Sequence, residues 1–402
     1  MFGVLLLLIV SSCLSMTGVA GAGIALGVIL LIVRGVRTRQ WPELDRGILG
    51  IIVVYVLLWS ISSVFSLNPG RSFHSLISQV LRMLPLFFAM LCIKDKWQLR
   101  WIWIVFALSI LVDDARAIWQ YASIADENLW ERPKGFNRSP TFLASHMLMA
   151  IPAMVFAAGR DYMGTWGRRL LLLAAGMALL TLLLSGTRGG WLAFLGTAVV
   201  YALCDKAYRR RALMAISSLL VALCVAAACS TAFQARLLTM TDPSFQSNNE
   251  RLLMWQSAVA IIRDNPVLGV GMDQFVIVYN TEYISPLAKE RPKDPSNPMT
   301  GHGHPHNNIL KVSTEGGILG LSAFLVFHGY FLWRFVRLWR QERHPFPYGL
   351  MAVLIWAALQ LEGITDTNLN QVSILREYWL LAGIALAAKE AEHETMAGSR
   401  ES

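Results

Sequence analysis

Apolar and polar positions along this chain alternate in long blocks, not residue by residue. Apolar blocks fall at roughly 3–16, 18–33, 47–66, 75–93, 99–121, 140–158, 169–185, 189–204, 212–232, 317–338, 348–364 and 374–390. A helix needs about 20 apolar residues to cross the hydrocarbon core of a bilayer, so blocks of this length predict membrane spans. They run continuously, without the period-two alternation of a transmembrane β-barrel. The expectation is an all-α, polytopic membrane protein with about twelve transmembrane helices. The opening "MFGVLLLLIV" lacks a positive leader region, and the apolar stretch continues to Val33. That is too long for a cleaved signal peptide and reads as two short helices broken near Thr17–Gly18.

The polar residues between the blocks set an orientation. One series of connections holds Arg34, Arg37, Arg39 and Arg46, then Lys94, Lys96 and Arg100. It continues with Arg160, Arg168 and Arg169, with Lys206 and Arg209 to Arg211, and with Arg334, Arg337, Arg340 and Arg343. The alternate short connections hold only Arg71, Arg132, Lys134, Arg138 and Arg188. Positive charge marks the cytoplasmic side, so this bias predicts both termini in the cytoplasm. Four regions follow: helices one to nine over 1–232, an external (periplasmic) loop over 233–316, the last three helices over 317–390, and a cytoplasmic tail over 391–402.

The long loop is not low in complexity. In "SNNERLLMWQSAVAIIRDNP", Ser247 and Glu250 are spaced as a capping box, Leu252, Trp255, Val259 and Ile262 recur at helical spacing, and Pro266 ends the pattern. This predicts an amphipathic helix lying on the bilayer surface or on the bundle.

Composition sharpens the picture. The 402 residues are 55% hydrophobic and 15% charged, where a soluble domain carries about 25% charge. The net charge of +9 does not mark a nucleic-acid binder, because the cations punctuate helix ends and form no basic face. The five cysteines lie in or beside apolar blocks with no CxxC pair, as small buried hydrophobes do.

Polar groups at a membrane are costly and are read as functional candidates. In "SGTRGGW", Arg188 stands at the external end of a span beside Gly189 and Gly190, which leave backbone open to close approach. Arg251 is expected in the first turn of the loop helix, where a cation opposes the helix dipole and an anionic ligand would offset the cost. In "GHGHPHNNILKVSTEGGILGL", His306 directly precedes an apolar helix. The dipole there disfavours imidazolium, and a neutral imidazole can take a proton from an alcohol. Asn307 can orient it, and Gly316, Gly317 and Gly320 allow close helix packing. His302, His304 and His306 could suggest a metal, but Pro305 interrupts the run and a membrane helix follows, so no metal is expected. Arg82, Arg116, Arg138 and Asp366 are further candidates for lining a substrate cavity, and Asp366 or Glu362 could orient a histidine or an arginine.

"HNNILKVSTEGGILG" resembles the signature of the O-antigen ligase and polymerase superfamily: a His, a small polar residue, nine residues, then Gly-x-x-Gly. Here these are His306, Asn307, Gly317 and Gly320. "GTRGGWLAF" and "NERLLMWQSAVAIIRDNPVLGVGMDQF" resemble that family's external arginine and loop helix. The resemblance implies that Arg188, Arg251 and His306 are the essential residues. It also implies transfer of a glycan from undecaprenyl diphosphate to an acceptor hydroxyl at the periplasmic face, without a metal or other cofactor. The expected function is an O-antigen ligase in the inner membrane, with lipid A–core as acceptor and membrane lipids as surroundings. The rivals are a polymerase of the same superfamily, a protein O-oligosaccharyltransferase and a transporter.

Overall fold

The structure, a computed structural model, describes residues 1–123, 131–204, 206–229, 231–238, 246–289 and 304–398. Among these residues every regular element is a helix. The α-helices are α1 (Phe2–Cys13), α2 (Thr17–Thr38), α3 (Arg46–Val64), α4 (Pro69–Arg82), α5 (Leu84–Cys92), α6 (Lys96–Ser123), α7 (Pro140–Ala158), α8 (Gly164–Leu184), α9 (Arg188–Cys204), α10 (Lys206–Cys229), α11 (Thr231–Leu238), α12 (Gln246–Asp264), α13 (Phe275–Val278), α14 (Pro286–Lys289), α15 (Asn308–Gln341), α16 (Tyr348–Glu362) and α17 (Val372–Gly398). Six segments are long and apolar enough to cross a membrane, and α1, α9 and α16 are shorter apolar helices. Large apolar side chains such as Leu57, Leu173 and Val326 stand more than half exposed. Lipid solvates such side chains, whereas water would not. The chain is a polytopic membrane protein. His302 and the end of the C-terminal tail lie outside the described residues.

The centre of the bundle is α7 and α16, buried along almost their whole length. Around them α8, α9, α15 and α17 pack, with α3 against α15 and α5 against α17.

The block expected as one span at 75–93 lies within one membrane-long apolar segment, Pro69–Cys92, interrupted at Met83 between α4 and α5. Pro85, in the first turn of α5, cannot donate the helical bond that would continue α4. The amphipathic helix α12 buries Leu253, Met254, Ser257, Ala258 and Ile261, while Leu252 and Val259 face outward at 45% and 40% exposure. Apolar residues line both sides of α12, so only its partners choose the face. Those partners are α15 and the 270–283 segment, whose Val270, Phe275, Val278 and Tyr279 form a small separate core with Met254, Ala258 and Ile261.

The apolar block expected from 317 is the second part of α15, which begins at Asn308, directly after His306 and Asn307, and breaks at Gly317 (φ 57°, ψ −152°). The break leaves backbone groups unpaired, and segment 266–271 fills it. Ile318 and Leu319 N–H donate to the Pro266 and Val267 carbonyls (2.9 and 3.2 Å). In return, Val270 and Gly271 N–H donate to the Thr314 and Glu315 carbonyls (3.0 and 2.8 Å). Irregular backbone inside a membrane protein survives only when protein satisfies it in this way. A Cβ at Gly317 would stand 2.5 Å from the Val267 carbonyl, and one at Gly269 would stand 2.4 Å from the Glu315 carbonyl carbon. Gly316 and Gly320 do serve helix packing, against the Trp59 indole of α3. Gly317 makes the hinge instead.

Candidate active site

The start of α15 is zipped to the segment that follows α16. Asn307 caps α15, its side chain accepting from Leu310 N–H (2.9 Å). Its own N–H donates to Thr367 Oγ1 (3.1 Å), and its Nδ2 to the Ile364 carbonyl (2.9 Å). Asn308 N–H donates to the Gly363 carbonyl (2.6 Å), and its Nδ2 to Asn368 Oδ1 (2.8 Å). These bonds fix residues 306–308 against 363–368.

His306 precedes the cap. Its φ is 48°, in the left-handed region that side chains seldom adopt. That turn brings Nδ1 to 2.9 Å from Asp366 Oδ1. Asp366 also accepts from Thr367 N–H (2.6 Å). Burial alone would raise the Asp366 carboxyl. The hydrogen bond and charge of His306, with the charges of His304 and Arg251, outweigh it and hold the pKa at about 2. An anionic Asp366 accepting from Nδ1–H would leave Nε2 as the acceptor nitrogen of His306.

Asp366 opens onto a polar pocket lined also by Arg132, Arg188 and Arg251, by Thr141, Thr187 and Thr365, by Gly189 and Gly190, and by Glu362. Arg188 is the first residue of α9, and its Nη2 donates to Asn248 Oδ1 of α12 (2.7 Å). Gly189 lets α9 reach the 363–371 segment, since a Cβ there would lie 2.2 Å from Thr365 Oγ1. Arg251 is the sixth residue of α12, so it sits beyond the first turn, where the opposing-dipole argument would apply. Arg132 points a guanidinium at the Gly186 carbonyl (3.5 Å). Burial and the charges of Arg188 and Arg251 push its pKa below the usual arginine value. Three guanidiniums crowded this way favour an anion among them. Glu362 is held by Ser145 Oγ (2.5 Å) and by Asn368 Nδ2 (3.3 Å).

The structure thus brings together His306, Asn307, Asp366, Arg188 and Arg251. Arg82, Arg116 and Arg138 do not line this pocket. Arg82 donates to the Leu369 carbonyl (3.2 Å) and Ser78 Oγ (3.1 Å), Arg116 stacks 4.1 Å from the Phe136 ring centroid, and Arg138 is exposed. Arg132 and Arg138 share one short connection, and nothing in its composition tells which arginine turns inward. His146, buried in α7, pairs with Glu377 of α17 and lies 3.3 Å from Ser373 Oγ. One metal-capable group occurs among the described residues: donor atoms of His304, His306 and Asp366 all lie within 4.8 Å of one another.

Fold and pocket together define a membrane-embedded protein with a cationic cleft beside an aspartate-held histidine. An O-antigen ligase family model matches residues 172–325, a stretch holding Arg188, Arg251, His306, Gly317 and Gly320. Over 84 residues the chain is 36% identical to a Rickettsia conorii protein provisionally named a polysaccharide ligase, covering 19% of this chain and 17% of that one. The likeness to O-antigen ligases thus covers residues 172–325, and the aligned stretch spans less than a fifth of the Rickettsia relative's length.

Proposed function

We propose that this protein is an O-antigen ligase. It transfers a glycan from undecaprenyl diphosphate to a hydroxyl of lipid A–core, at the periplasmic face of the bacterial inner membrane, with both termini cytoplasmic. The observation that carries this reading is a pocket where three arginines meet Asp366, the carboxylate that holds His306. A diphosphate leaving group is an anion, and preorganised guanidiniums would stabilise the charge that develops as it departs. The acceptor hydroxyl gives its proton to His306 as its oxygen bonds to the anomeric carbon, and the bond from that carbon to the diphosphate oxygen breaks. A single displacement of this kind inverts the anomeric configuration. The arginines would do the electrostatic work that a divalent ion does elsewhere, so the step as drawn needs no metal. Arg/Lys enrichment in alternate connections supports the orientation, and the name of the Rickettsia relative points toward ligation.

The test is transfer in vitro from a lipid-linked donor to purified lipid A–core. His306→Ala is expected to abolish transfer while the protein stays folded in membranes, and full activity in that variant would end the proposal. In cells, deletion should leave core without polymer. Core bearing a single repeat unit would indicate the polymerase instead.

A further inference from the structure

We infer that His304, His306 and Asp366 form a binding site for a soft divalent transition-metal ion such as zinc, and that occupying it blocks the transfer. In the sequence, Pro305 between the histidines argued against a metal here, and the tertiary structure removes that objection. The left-handed turn at His306 folds the segment so that the two imidazoles meet edge to face, ring centroids 4.5 Å apart. The acidic partner arrives from 60 residues away, as Asp366. Two imidazoles and one carboxylate are a donor set that suits zinc, cobalt and nickel. Tetrahedral zinc with bonds of about 2.0–2.2 Å would hold its donor atoms roughly 3.3–3.5 Å apart. The donors already lie within 4.8 Å of one another, so small side-chain rotations suffice.

The surroundings hold this cluster in place and leave it open. Trp255 Nε1 donates to the Pro305 carbonyl (2.8 Å), pinning the residue between the two histidines. Asn307 anchors the following turn to Thr367. The His306 side chain is 23% exposed, which gives an ion a path in and leaves room for water as a further ligand. Arg251 lines the same pocket as Asp366, and its positive charge opposes a dication, which favours a transiently occupied, inhibitory site over a tightly held resident ion. Magnesium and calcium, which want more oxygen ligands, fit poorly. The inhibitory half rests on the proposed function, because the metal would occupy the imidazole and carboxylate that the transfer uses. The binding half does not.

Cobalt serves as the probe, titrated into the purified full-length protein in detergent. Visible absorption bands of a nitrogen- and oxygen-ligated cobalt ion should appear, zinc should displace them, and magnesium should not. His304→Ala should weaken cobalt binding at least tenfold and relieve zinc inhibition while keeping basal transfer. Absence of cobalt bands in the unmodified protein, or unchanged affinity in His304→Ala, overturns the site. Zinc inhibition that persists undiminished in that variant overturns the inhibitory half. If cobalt binds through His304 but no donor is ever turned over, the metal site stands and the transferase reading falls.

Discussion

Replacing Asp366 by Asn tests the His306 pair most directly. The folded protein holds the Asp366 pKa at about 2, against an ordinary value of 3.8. That depression is worth about 2 kcal/mol of folding stability. The folded value lies below the unfolded one, so this stability is fully present above about pH 4 and drains away as pH falls toward 2. Asp366→Asn removes it at neutral pH. The variant also replaces a charge-assisted bond to His306 by a neutral one, a loss of roughly 1–2 kcal/mol. In rate terms, about 1.4 kcal/mol is tenfold, so kcat should fall roughly five- to thirtyfold, with little change in donor KM. Transfer kinetics and thermal unfolding in the same detergent separate the two effects. Because Asp366 stays ionised above about pH 4, the acid limb of the pH–rate profile should carry no step from it. An Asp366→Asn protein with unaltered kcat would refute the view that this carboxylate positions the histidine.

Two other substitutions probe the frame and the anion pocket. Gly317→Ala places a Cβ 2.5 Å from the Val267 carbonyl at φ 57°. It should cost at least about 1–3 kcal/mol, read as a lower unfolding temperature, and an unchanged temperature would argue against the hinge. Arg132→Gln removes one of three guanidiniums from the pocket and should raise the donor KM roughly ten- to hundredfold, in line with roughly 1.5–3 kcal/mol for a hydrogen bond to a charged group. An unaltered KM would take Arg132 out of donor binding.

Much of the frame was legible in the chain. Long apolar blocks can only be helices in lipid, since an unpaired backbone group there costs several kcal/mol. His306 and Asn307 stood out because polar residues at the mouth of an apolar helix need a reason. The face of α12 was not legible, because apolar residues line both its sides and the choice belongs to α15. Nor was Gly317 distinguishable from Gly316 and Gly320, although one breaks the helix and two pack on Trp59. A helix break is settled by what fills it, here residues 266–271.

By itself the sequence determined the solvent of this protein and its all-helical character, and it singled out Arg188 and Arg251, which line the pocket, and His306, which pairs with Asp366. Those properties follow from local composition and spacing. The tertiary structure alone decided which carboxylate meets His306, which of the connection's arginines turns inward, and that Pro305 leaves two imidazoles face to edge. Each of these is a contact between segments far apart in the chain. Their pairing depends on how the helices pack, which no local pattern records.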